Sequence, residues 1–425
     1  MLNLLCVELV ELIARALDNR YELLVLRLVC RHLRRATSVL FTKAWFTTLT
    51  IDFTPRCLHR LSNIAQRDDL ALAVRCLRVA DCYRSPRIRP SSFRMLNRET
   101  LVFGEGLLWP RTADGILDLT SQPVNHFTEL LARFRLCTEI RVTDEIGHPN
   151  DRSDTYLCPI DACYIMLNLL ARHRDLYIQS FIIKFDRARD SKTTQMPTGL
   201  ADLLVLSSWA SHLHRLSITW TTDTDPIAAS VTMDLIRMAT CAQSLTLSLP
   251  HSMNENIYKL VSQAPQLPAL TKLTLGKFDW PPPDMFPNII ARFRGSLKRL
   301  HVEGAFRSPG ALNSFFGLLA GQNLTALESI TVADGFGTFF CPFQFNQDAL
   351  QQCGVIFEFT LRFSCGGERV NGIRYRGSRG GIRHALQILA DTSYYQEGAG
   401  PPIPALMGME GYKGDGFGRV VKRFT

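Results

Sequence analysis

The sequence predicts an α/β solenoid, a stack of strand–helix units behind a short, all-helical N-terminal unit. Three observations predict it. The pattern apolar, two residues, apolar, one residue, apolar recurs nine times between Val74 and Leu361. In its later copies the middle positions 216, 245, 273, 300, 330 and 359 are separated by 29, 28, 27, 30 and 29 residues, which is a period. The first 46 residues lack that pattern and instead repeat apolar side chains every three and four residues, as helices do.

The totals bound the class. At 425 residues the chain exceeds what one compact core holds, so two units or an elongated array are expected. Hydrophobic residues at 46% and charged residues at 20% describe a folded chain with ample core. The net charge of +9, from 48 Lys and Arg against 39 Asp and Glu, permits an acidic partner and does not by itself indicate nucleic acid. The 12 cysteines run from Cys6 to Cys365 without a Cys-x-x-Cys pair, and Cys30, Cys76 and Cys137 sit in apolar patterns, as reduced thiols do. A cytoplasmic or nuclear location follows. Glu8, Glu11 and Arg15 interrupt the apolar N-terminus, so no signal peptide is expected, and no apolar run is long enough for a membrane span.

Within residues 1–46, Leu5, Leu9, Leu12, Ile13, Ala16 and Leu17 share one helical face, and Glu8, Glu11 and Arg15 take the other. Asp18, Asn19 and Arg20 make a turn, and Leu24, Leu28 and Leu33 continue a second apolar stripe among basic residues. Two or three short helices result, too small to be stable alone. Leu5, Glu8, Leu9, Ile13, Leu17, Leu28, Val29, Cys30, Arg31, Leu40 and Phe41 together resemble the F-box motif, over about a tenth of the chain. The resemblance implies a three-helix unit in which Leu5, Cys6, Leu9, Ile13, Leu28 and Val29 hold the adaptor subunit of an SCF ubiquitin ligase and, through it, a cullin. Cys6 stands where the family has proline. From the helix pattern alone, the same residues would cap the array behind them.

Residues 47–73 read as a link. Trp45, Phe46, Leu49, Ile51 and Phe53 suggest an edge strand, and Leu58, Leu61, Ile64, Ala65, Leu70 and Leu72 a helix. Residues 74–365 form the array. Helical runs at 203–209, 231–238, 257–261, 289–293 and 312–319 alternate with its short strands, so this part resembles the longer, helix-bearing kind of leucine-rich repeat. The family's turn asparagine or cysteine is supplied only by Cys82, so the turns must satisfy their backbone groups otherwise. Early spacings are longer, 63 residues from 77 to 140, 41 to 181 and 35 to 216, which places an insertion near 83–123 and a shorter loop at 144–154. Residues 366–425 read as a basic, glycine-rich cap and a flexible tail.

No catalytic constellation emerges. Gly411, Gly414, Gly416 and Gly418 lack the strand–helix setting of a phosphate loop. Asp144, Glu145, His148, Asp151 and Asp154 match no calcium-loop spacing, and His212 with His214 lacks a third metal ligand. The expectation is a non-enzymatic protein without metal or cofactor. Arg374, Arg376 and Arg379 with Tyr375 would suit single-stranded RNA, although a solvated end cap is the simpler reading. What remains is a strand face. By alternation Arg78, Arg141, Ile182, Ser217, Thr246, Thr274, His301, Thr331 and Thr360 point away from the core, with Arg215, Lys272 and Arg299 beside them. Such a stripe suits an acidic or phosphorylated target, although threonine is also a good strand former. The two resemblances together imply a substrate receptor of an SCF ligase; a leucine-rich-repeat scaffold without a ligase is the alternative, and RNA binding a third.

Overall fold

The structure is a computed structural model. It describes residues 5–79 (save 18 and 54), 109–143 (save 111 and 113–116), 159–185 (save 174), 211–220, 232–248 (save 233), 267–279 (save 268), 290–305, 311–333, 344–345, 357–364, 367–377, 381–394 and 419–424. The class is α/β, with mostly parallel strands and helical connections. The chain divides into two compact units, the first holding residues 1–185 and 189–213, the second 186–188 and 214–425.

The first unit opens with helices α1 (Val7–Arg15), α2 (Arg20–Val29), α3 (Arg31–Ala36) and α4 (Ser38–Phe46). Three helices were expected here; the fourth arises because Thr37 interrupts α3 and starts α4. Its hydroxyl is buried and donates to the Leu33 carbonyl at 2.7 Å, closing α3 where the chain turns. Asn19 caps α2 by accepting from the Tyr21 amide at 2.9 Å. A small core of Val10, Leu33 and Ala36, with Leu5, Leu26 and Cys30 packed on it, joins α1, α2 and α3. Arg27 reinforces it, donating to the Arg34 carbonyl at 2.9 Å and lying 3.9 Å from the centre of the Phe41 ring.

Strands β1 (Thr48–Ile51), β2 (Cys76–Val79), β3 (Glu139–Thr143) and β4 (Ser180–Phe185) follow, parallel and in that order. The edge strand expected from Trp45 onward is shorter, because Trp45 and Phe46 finish α4. The linking helix is two, α5 (Pro55–Ala65) and α6 (Asp68–Ala71). Phe53 adopts a left-handed φ of 57° that puts its ring 4.8 Å from Phe127 of α7 (Gln122–Ala132) and 5.7 Å from Trp109. The strain is tolerated because the ring is buried there. In α8 (Pro159–Arg172) residues 161–170 are all buried, so this helix lies inside the unit rather than on its surface. Most of the insertion expected near 83–123, its residues 83–108, and the loop at 144–154 lie outside the described residues.

The second unit carries β5 (Arg215–Trp220), β6 (Ser244–Ser248), β7 (Lys272–Asp279), β8 (Arg299–Ala305) and β9 (Ser329–Ala333), parallel and in sequence order. Their period positions align: Leu216, Leu245, Leu273, Leu300 and Ile330 sit opposite one another and are buried. The ninth copy of the pattern behaves differently. Its strand, β11 (Phe357–Ser364), runs antiparallel to β12 (Gly367–Arg376) and to β14 (Arg419–Phe424), and β12 pairs antiparallel with β9. The parallel run therefore ends at β9, one copy earlier than the spacing suggests, because β12 rather than β11 takes the place beside β9 and runs antiparallel to it. Helix α9 (Ala311–Gly321) packs against α10 (Gly381–Thr392), with Asn313 Nδ2 donating to the Ala390 carbonyl at 2.8 Å. Residues 344–345 (β10) and 393–394 (β13) form a two-residue antiparallel pair. Of the expected helical runs, 203–209 and 257–261 lie outside the described residues.

Strands β2–β4 and β6–β9 all start in the same way. The carbonyl of His214 accepts from the amides of both Gln243 and Ser244, at 2.8 and 2.9 Å. Gln243, Thr271 and Lys298 repeat this toward the next strand, as do Thr47, Arg75 and Thr138 in the first unit. One carbonyl thus satisfies two donors at each step, and no side chain is needed there. At the far ends, Phe278, Ala305 and Ser364, three residues past the last apolar position of their copies, lie within strands, while 221, 250 and 335 lie outside the described residues.

Candidate docking surfaces

The apolar stripe of α1 is split by the fold. Val10 and Ala14 turn inward, and Leu5 is half-buried against the core cluster, where His32 Nε2 donates to its carbonyl at 3.1 Å. Leu9, Leu12 and Ile13 face solvent at 47%, 58% and 41% exposure. On α2, Leu23 is buried, while Val25, Leu28 and Val29 are 62%, 78% and 61% exposed. Four of the six residues assigned to adaptor binding, Leu9, Ile13, Leu28 and Val29, are therefore open apolar side chains. Leu12 and Val25 join them; helical periodicity groups such residues on a face without saying which part of the face is covered. Left in water, these side chains forgo about 25 cal/mol per Å² of burial, which a partner would recover.

Cys6 precedes α1 as its N-cap residue, exposed, with φ −65° and ψ 158°. That φ is the value a proline ring imposes. A proline at this position would therefore keep the backbone as it stands. The buried thiols contrast with it. Burial pushes Cys57 up to about 12 and Cys137 up to about 12, and burial with the Glu139 carboxylate pushes Cys76 up to about 11. These thiols stay protonated at neutral pH and behave as small apolar groups.

The strand faces of each unit offer a further surface of their own. In the first unit Thr50, Arg78, Arg141 and Ile182 stand side by side, and Arg141 is held by an ion pair with Glu139. In the second unit Ser217, Thr246, Thr274, His301 and Thr331 form one in-register row and Arg215, Lys272 and Arg299 belong to the row before it. Ser217 is buried, the other four of its row are half-buried, and the three cations are exposed. Thr360 does not join them, because it lies on β11 opposite Gly372. The sequence reading missed two members that the antiparallel return supplies: Arg374 lies opposite Thr331, and Arg376 opposite Ser329. They lie in a basic stretch of the sequence, but no repeat spacing connects them to the rows.

The metal candidates separate. His212 packs edge-on against Tyr177 with ring centres 4.8 Å apart, whereas His214 is exposed and uses its carbonyl in the strand ladder. Among the described residues no group of His, Cys, Asp and Glu is placed to hold a metal ion, and no helix is long and apolar enough to cross a membrane. No protein-family model and no curated protein matches this chain.

Proposed function

We propose that this chain is the substrate-recognition subunit of an SCF-type ubiquitin ligase, acting in the cytoplasm or nucleus. Helices α1 and α2 serve as an F-box-like unit that docks on the adaptor, and the strand–helix array serves as an irregular leucine-rich solenoid that holds a target protein. The observation that carries the reading is the coincidence of two independent facts. Leu9, Ile13, Leu28 and Val29 occupy motif positions, and the fold leaves these side chains in solvent instead of using them as core. The chain does no chemistry itself; it raises the local concentration of target lysines near a recruited conjugating enzyme.

A scaffold that works without a ligase is the second reading, favoured by Cys6 in place of proline. Size-exclusion chromatography of the full chain with the purified adaptor separates the two. Stoichiometric co-elution that Leu9→Asp abolishes, with the circular dichroism spectrum unchanged, supports the receptor. Separate elution of two folded proteins gives first place to the scaffold.

A further inference from the structure

The open strand face of the second unit carries a charge pattern that the fold does not need. At one end of the strands the register sets Arg215, Ser244, Lys272, Arg299, Ser329 and Arg376 side by side, the last contributed by antiparallel β12. All four cations are exposed, and none has an ion-pair partner among the described residues. Lys272 and Arg299 are on adjacent strands, about 4.8 Å apart along the ladder, where like charges oppose each other. The nearest carboxylates on these strands are displaced from the row. Glu303 lies four positions along β8 from Arg299, and Glu328 precedes Ser329 in the turn, where its carbonyl accepts from Gly377 at 3.3 Å. Behind the cations the hydroxyls of Thr246, Thr274 and Thr331 supply neutral donors on the same face.

We propose that this row binds an extended, doubly phosphorylated peptide that crosses the strands. One phosphate sits between Lys272 and Arg299, and the second beside Arg376. Between β8 and β12 stands only β9, so the second position is roughly 12 Å from the midpoint of the first, a span of about three to four extended residues. Each phosphoserine brings about −1.5 to −2 charges and three acceptor oxygens, which match guanidinium and ammonium donors better than one carboxylate does. The Ser244 and Ser329 hydroxyls between the cations add donors without adding repulsion. That the peptide belongs to a ubiquitylation target rests on the receptor reading; the binding itself does not.

The test uses the full chain without adaptor and fluorescein-labelled peptides carrying none, one or two phosphoserines, the pair separated by about three residues. Anisotropy titrations should show binding about tenfold tighter for the singly phosphorylated peptide than for the unphosphorylated one, and about tenfold tighter again for the doubly phosphorylated one. Lys272→Gln with Arg299→Gln should abolish binding of both phosphopeptides. Arg376→Gln should reduce the doubly phosphorylated peptide to the affinity of the single one, and Arg383→Gln, exposed on α10, should change nothing. Equal binding of the unphosphorylated peptide, indifference to the row variants in melts that show them folded, or tighter binding of a short single-stranded RNA each overturns the proposal. Because no adaptor is present, loss of phosphopeptide binding with intact adaptor co-elution sinks this inference alone, and the converse sinks the receptor reading alone.

Discussion

Helices α1 and α2 and strands β5–β9 are written in the same apolar alphabet, yet they use it on opposite sides of the solvent boundary. In the strands, every period position is core: Leu216, Leu245, Leu273, Leu300 and Ile330 are each at most 1% exposed. In the helices, Leu9, Leu12, Ile13, Val25, Leu28 and Val29 remain open while only Val10, Ala14 and Leu23 are buried. The difference teaches that an apolar stripe reports a surface that wants covering, and that the cover can be the chain's own core or something outside it.

The largest effect that would break this contrast comes from placing a carboxylate in each region. Leu300→Asp puts a charge into the strand core and should destabilise the second unit by more than about 4 kcal/mol in urea titration. Leu28→Asp should stay within about 0.5 kcal/mol of the parent in the same titration, because the side chain is already in water. A large loss from Leu28→Asp would mean that α2 is core after all.

A smaller effect separates the units by pH. The unfolded chain releases thiol protons from about pH 8.5. In the fold, burial holds Cys76 to about 11 and Cys57 and Cys137 to about 12. Raised folded values mean that this stabilisation is complete below pH 8.5 and is lost as pH rises toward 11 and 12, because the unfolded state binds fewer protons in that window. All three cysteines belong to the first unit. Hydrogen exchange compared at pH 8 and pH 10, each corrected for intrinsic rates, should therefore show the first unit opening more readily while β5–β9 hold. Equal loosening of both units would remove the buried thiols as its cause.

The smallest expected effect is at Cys6. Cys6→Pro should change stability by less than about 0.5 kcal/mol, since the residue already has a φ of −65°, and should preserve or tighten adaptor capture. A variant that unfolds α1 would show that the Cys6 amide is needed, against the geometry described above.

What could be read in advance follows from which signals are periodic. The strand array was legible because Leu245, Leu273 and Leu300 recur at nearly constant spacing and parallel strands repeat one geometry. The rows on its open face were legible by alternation, which sets Thr246, Thr274 and Thr331 on the same face of successive strands. Arg374 and Arg376 were not, because antiparallel pairing of β12 with β9 is set by a chain reversal and leaves no spacing to find. The open apolar face of α1 was half legible: periodicity grouped Leu5 with Leu9 and Ile13, but only the small core of Val10, Leu33 and Ala36 decides that Leu5 leans inward. Thr37, which makes four helices of the expected three, acts through one buried hydroxyl that no pattern announces.

The shared carbonyls at the strand starts have a consequence for how such a chain can change. His214, Gln243, Thr271 and Lys298 do the same job with an imidazole, an amide, a hydroxyl and an ammonium, since the joint is made by their main-chain carbonyls, to which the Thr271 hydroxyl merely adds a bond on the Gln243 carbonyl at 3.1 Å. A joint of that kind is indifferent to spelling. Mutation can rewrite the side chains at each step, and with them the chemistry displayed nearby, while the spacing between strands is inherited unaltered. Recognition can drift on such a frame without the frame having to be rebuilt.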